Sequence, residues 1–126
     1  MLQGDFFTIS SIETTNFEIK ATLVINASHK IFVGHFPGQP VVPGVCMMQM
    51  VKEIMEQVTG KKTDLIKSAE MKFLAIIDPS HYNKISATLK YAIDDNQNMI
   101  VSAVLFKDEL THFKFKGVFA FQKLVL

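Results

Sequence analysis

The sequence predicts a single α+β domain in which an antiparallel sheet wraps around one long helix. Three observations carry this. Several segments alternate apolar and polar residues with a period of two, one segment alone reads as a long helix, and turn-forming clusters separate the later strands.

The first alternating segment runs from Phe17 to Asn26, with Phe17, Ile19, Ala21, Leu23 and Ile25 on one face and Glu18, Lys20, Thr22, Val24 and Asn26 on the other. That pattern is expected of a half-buried strand. The period recurs at Ile85, Ala87, Leu89, Tyr91 and Ile93, and again at Phe113, Phe115, Gly117, Phe119 and Phe121. Weaker alternation marks Lys67 to Ile77 and Met99 to Phe106. The clusters Asp78-Pro79-Ser80, Asp94-Asp95-Asn96 and Lys107-Asp108-Glu109 suit hairpin turns between them.

The helix is expected from Pro43 or Gly44 to Thr59, with proline at its start and Gly60 as its stop. Such a helix is about 24 Å long. From Val45 to Val51 it is apolar on every side but one, which predicts burial. Lys52, Glu53, Glu56 and Gln57 read as outer positions of its second half.

The length of 126 residues suits one domain spanning 1–126. A hydrophobic share of 48%, with 11 phenylalanines, 7 methionines and no tryptophan, is rich for a small domain and predicts apolar surface hidden by self-association. A formal charge of +1 argues against nucleic acid and membrane as partners. The single cysteine, Cys46, allows no internal disulfide, and the start Met-Leu-Gln-Gly-Asp lacks the regions of a signal peptide, so a cytoplasmic setting is expected. No apolar run approaches the roughly 18 to 20 residues of a membrane span.

Between strand and helix lies Gly34-His35-Phe36-Pro37-Gly38-Gln39-Pro40-Val41-Val42-Pro43-Gly44-Val45, with three prolines and three glycines in twelve residues. A stiff loop before a helix N-terminus can hold a side chain and backbone amides in fixed relation to a ligand, although on composition alone a well-packed, proline-rich crossover is the better account. The run His-Phe-Pro-Gly-x-Pro-x-x-Pro-Gly-Val resembles the signature loop of the β-hydroxyacyl-acyl-carrier-protein dehydratases. The similarity extends through the buried helix, Met71-Lys72-Phe73, a turn and three long strands. The family's proline- and histidine-rich N-terminal run has no good counterpart before Gly4-Asp5-Phe6-Phe7.

The resemblance implies a hotdog fold and places the catalytic acid/base on His35, whose imidazole titrates near neutral pH. It places the thioester-polarising amide on Gly44, where an enolate would meet the positive end of the helix. It assigns substrate contact to Phe36, Pro43, Val45 and Met48. The family's third member, a carboxylate contributed across the dimer interface, falls on Gln49. An amide can donate or accept hydrogen bonds but cannot protonate a leaving hydroxyl. A lone amide among Val45, Cys46, Met47, Met48 and Met50 is costly to bury unpaired, which favours a functional placement.

The implied function is therefore dehydratase-like, on β-hydroxyacyl thioesters of acyl carrier protein or coenzyme A, in fatty-acid or related acyl-chain synthesis. Acyl-thioester hydrolysis, or binding without turnover as a subunit beside an active homologue, remain open on the same scaffold. A homodimer, or a higher oligomer, is expected. Cys46 reads as packing. Met47, Met48, Met50 and Met55 suit either an acyl tunnel or the core, and Lys61, Lys62, Lys67 and Lys72 either an acidic carrier or a solvated face. His29, His81 and His112 read as solvated. No metal or cofactor motif is present in the sequence.

Overall fold

The computed structural model describes residues 1–34, 38 and 40–123. In chain order the elements are β1 (Phe7–Thr15), β2 (Glu18–Ile25), the short α1 (Ile31–Gly34), α2 (Gly44–Thr59), β3 (Thr63–Phe73), β4 (Lys84–Ile93), β5 (Met99–Lys107) and β6 (Leu110–Phe121). The strands form one antiparallel sheet in the order β1-β2-β4-β5-β6-β3. This is the α+β arrangement expected, a sheet with a single long helix against it.

Alternation places one face of each inner strand in the core. Ile19, Leu23, Ile85, Leu89, Val101 and Leu105 are buried, and they join Met50, Ile54 and Met55 of α2 in one cluster. Each large aliphatic side chain buried there contributes about 2 kcal/mol. The helix bounds are those its sequence signals predict. Gly60 adopts the left-handed conformation at φ 70° and its N–H returns to the Glu56 carbonyl, which ends the helix.

Five details differ from the sequence reading. Phe17 is not a core residue: it is 60% exposed. Asn16 and Phe17 have φ of 48° and 64° and form a two-residue turn between the paired Thr15 and Glu18, so the alternation begins at Ile19. The Phe17 ring meets Tyr91 edge-on at 5.3 Å instead.

Strand β1 has no counterpart in the alternation. It lies at the sheet edge with only Phe7 buried, and a bulge between Ile9 and Ser11 breaks its period. At the opposite edge, β3 ends at Phe73, not Ile77, and two register shifts irregularise its pairing with β6. The residues that follow it run as a loop.

Helix α2 is not apolar and buried all round, because Val45 in its first turn is 76% exposed. Glu53 and Glu56 are not outer positions either, being 2% and 9% exposed. Both carboxylates take several donors, those of Glu56 all on its Oε2. Glu53 accepts the Leu2 N–H at 2.8 Å, the Gln3 N–H at 2.8 Å and the Gln49 amide at 2.9 Å. Glu56 accepts the Thr63 N–H at 2.6 Å and its hydroxyl at 3.2 Å, with the Lys52 ammonium at 3.4 Å. Buried charge is tolerated where hydrogen bonds replace its hydration, and here it fastens the N-terminus and the start of β3 to the helix. Among the described residues no helix is long and apolar enough to cross a membrane.

Candidate active site

The chain reaches α2 through Val41, Val42 and Pro43. The Val42 N–H donates to the Ile77 carbonyl at 2.9 Å, and the Pro43 carbonyl accepts the N–H of Cys46 at 3.0 Å and of Met47 at 3.3 Å. Pro43 is the N-cap, extended at φ −61° and ψ 145°, and among the described residues no side chain caps the helix. The first amides of a helix have no intrahelical acceptor, so the N–H groups of Gly44 and Val45 begin α2 without one. They carry the positive end of the helix dipole.

Beside this helix start opens a cavity of about 480 Å³, bounded by residues 41–44, by Met47 and by residues 73–76. Its described lining is apolar apart from backbone. The approach is close: a Cβ on Gly44 would lie 2.7 Å from Cε1 of Phe73, so a larger residue there would have to displace that ring. The Phe73 ring is stacked on Phe113 at 5.0 Å.

The far wall is pinned by a histidine. The N–H groups of Leu74 and Ala75 donate to the His112 carbonyl at 2.9 and 3.3 Å. The His112 imidazole returns a bond from Nδ1 to the Ala75 carbonyl at 3.1 Å, and its Nε2 lies 2.8 Å from the Tyr82 hydroxyl. A carbonyl only accepts, so Nδ1 carries the proton and Nε2 accepts from the Tyr82 O–H. Burial, with Asp108 nearby, pushes the Tyr82 hydroxyl pKa up and keeps it protonated.

His112 is thus fully buried, which corrects its reading as solvated. It precedes Phe113 and so has the polar parity of β6, but the loop after β3 folds over that position. His29 is also not solvated. Its side chain is 11% exposed, with Nε2 3.0 Å from Asp5 Oδ2 and Nδ1 accepting the Ile31 N–H at 3.0 Å. His81 is exposed, as read, 3.6 Å from Asp78. The Asp78 carboxyl is held below the usual carboxylate range, first by the Ser80 hydroxyl and then by the Ser80 N–H.

Of the residues singled out by sequence, Pro43 and Gly44 line the cavity. His35 and Phe36 lie outside the described residues. Val45 and Met48 do not line this chain's cavity, and Met47 does. Met50 and Met55 are fully buried in the core. Gln49 is half-buried, away from the cavity lining, and donates to Glu53 within its own helix. Cys46 is buried, and burial raises its thiol pKa, which leaves it a packing group. Lys61 stacks over Phe121 at 5.1 Å and Lys72 pairs with Glu70 at 3.1 Å, and none of the four lysines lines the cavity. Sequence reasoning missed the Phe73–Ile76 wall and the His112–Tyr82 pair. The apolar run Phe73-Leu74-Ala75-Ile76-Ile77 was the available signal for the wall.

Solved structures share the fold. One is the dehydratase heterocomplex ApeI:P from Xenorhabdus doucetiae, with TM-score 0.69 and 19% identity over 89% of this chain and 96% of that one. Another is a sigma28-regulated virulence protein from Campylobacter jejuni, with TM-score 0.71 and 15% identity over 98% of this chain and 89% of that one. In sequence, the chain is 30% identical over 111 residues to the 3-hydroxyacyl-[acyl-carrier-protein] dehydratase FabZ of Blochmanniella pennsylvanica. The match covers 82% of this chain and spans 66% of that protein's length. Residues 11–109 match the model of the ApeI-like family, described as ApeI dehydratase. With most of its length matched and a hotdog architecture around an open helix start, the chain belongs to the ApeI-like dehydratase family.

Proposed function

We propose that this chain acts on β-hydroxyacyl thioesters, carried on acyl carrier protein or coenzyme A, as a dehydratase in cytoplasmic acyl-chain synthesis. The observation that carries the reading is the start of α2 at Gly44, uncapped among the described residues and opening directly on an apolar cavity. An acyl tail suits the cavity, and a thioester carbonyl at its mouth meets amides already oriented toward developing negative charge. His35, nine residues before Gly44 in the loop, takes the proton from the α-carbon. The β-hydroxyl then leaves as water and the α,β double bond forms.

Dehydration also needs a proton for the departing hydroxyl. His35 returns the one it removed, because Gln49 has none to give and the described cavity lining has no titratable side chain. A homodimer formed edge to edge through β3 fits the apolar residues left open there, with Ile66 55% and Phe73 53% exposed. The same lack of a carboxylate favours a second reading, a binding subunit completed by a non-identical homologue. The likeness to a chain from a dehydratase heterocomplex supports it.

The test offers a panel of β-hydroxyacyl and saturated acyl thioesters, following enoyl absorbance and thiol release in parallel. Enoyl product without thiol release is expected. Thiol release alone would make the protein a hydrolase, and acyl binding without turnover would favour the subunit reading.

A further inference from the structure

We infer that His112 and Tyr82 form a positioning pair that sets the acyl-chain preference of the cavity beside Gly44. The inference rests on the thioester reading above and assigns a role to residues outside the cavity lining. The wall opposite the helix start, residues 74–76, belongs to none of the strands. Such a segment must find partners for its polar groups individually. Leu74 and Ala75 find three of them on one residue: both N–H groups reach the His112 carbonyl, and the Ala75 carbonyl takes the His112 Nδ1–H.

An imidazole without solvent exposure is costly unless both nitrogens are satisfied. Tyr82 supplies the second bond, to Nε2. Tyr82 also lies on the loop that begins with Leu74, so the bond closes that loop across the ring. The ring orientation is therefore fixed from one side by the wall and from the other by Tyr82. A bulky apolar residue at position 112 would fill the volume but would leave the Ala75 carbonyl unpaired. His112 does not line the cavity, so its effect on substrate passes through the placement of Ala75 and Ile76.

The experiment uses Tyr82→Phe, His112→Phe and His112→Asn in the full chain, with saturated acyl-coenzyme A thioesters of short, medium and long tails as probes. Dissociation constants come from calorimetric titration, and hydrogen exchange reports on the Leu74 and Ala75 amides. His112→Phe is expected to change the long-to-short affinity ratio by about tenfold, the equivalent of one lost hydrogen bond, and to speed exchange at Ala75. Tyr82→Phe should change the ratio by about threefold in the same direction. His112→Asn retains a donor where Nδ1 stands and should remain within about twofold of wild type. Tyr82→Phe deletes one oxygen atom and carries the test where His112→Phe does not fold. An unshifted ratio in Tyr82→Phe and His112→Phe, or loss of affinity by one factor for every tail, would overturn the inference while leaving the thioester reading intact. A wild-type protein that binds no tail would overturn both.

Discussion

The Phe73 ring occupies the space that a side chain at position 44 would need, with its Cε1 and Cζ atoms 2.7 and 2.9 Å from where a Cβ of residue 44 would stand. The glycine that opens α2 thus answers to a specific neighbour. Gly44→Ala should force Phe73 off its stack on Phe113, at a cost of about 1–2 kcal/mol. Urea unfolding measures this, and combining Gly44→Ala with Phe73→Ala should return part of the loss, because the double variant no longer has the clash.

Gln49→Glu sets a carboxylate where the amide now donates to Glu53 at 2.9 Å. Two carboxylates at hydrogen-bond distance share one proton, so one of them should titrate well above the ordinary carboxylate range. A carboxyl whose pKa is raised by folding costs nothing below its unfolded value, about 4.3, and costs most above its folded one. The variant should therefore be less stable than wild type by about 2 kcal/mol at neutral pH, with the gap closing on acidification. If that carboxyl faces the cavity of a partner copy, as the family resemblance implies, its retained proton can serve as a general acid and enoyl formation should rise by about a hundredfold. A pH series of chemical melts beside the enoyl assay reads both effects. A Gln49→Glu variant that is stable and binds substrate, yet turns over no faster than wild type, would show that the site has diverged further.

Glu53→Gln keeps the shape but loses the charge that gathers the N–H groups of Leu2 and Gln3 and the Gln49 amide. A carboxamide cannot accept all of these while placing its own NH₂ group. The expected loss is about 2 kcal/mol. Hydrogen exchange should show the first residues fraying while the protection of β4 and β5 is retained.

Ile66→Lys places a charge on the apolar edge strand, where Ile66 is 55% exposed. If β3 joins two copies, light scattering should show dissociation at concentrations where the wild type is dimeric, with Kd raised about tenfold or more. The circular dichroism spectrum should be unchanged.

What the sequence made legible was local. The bounds of α2 were readable because Pro43 and Gly60 act through their own backbone geometry, and β2, β4, β5 and β6 because one face of each is buried. Strand β1 was illegible because an edge strand with only Phe7 buried leaves no alternation to read. Glu53, Glu56 and His112 were misjudged for a shared reason. Each has a polar side chain that reads as facing water, and each is covered by another segment, the N-terminus for Glu53, the start of β3 seven residues on for Glu56 and the loop after β3 for His112. The loop resemblance pointed to Pro43 and Gly44, which line the cavity, whereas the apolar run Phe73–Ile77 signals a buried segment without saying that it crosses to the helix start.

The two borders of the sheet are chemically unlike. Along β1 run serine, threonine and one glutamate side chain with a single bulge between Ile9 and Ser11, whereas β3, with two register shifts, leaves Leu65, Ile66, Met71 and Phe73 exposed among Asp64, Lys67, Glu70 and Lys72. Strand addition is proposed through β3 because its exposed apolar residues gain most from being covered. Two molecules that meet through it leave only polar, irregular borders outward, so the sheet terminates after a single joining and does not propagate into a fibre.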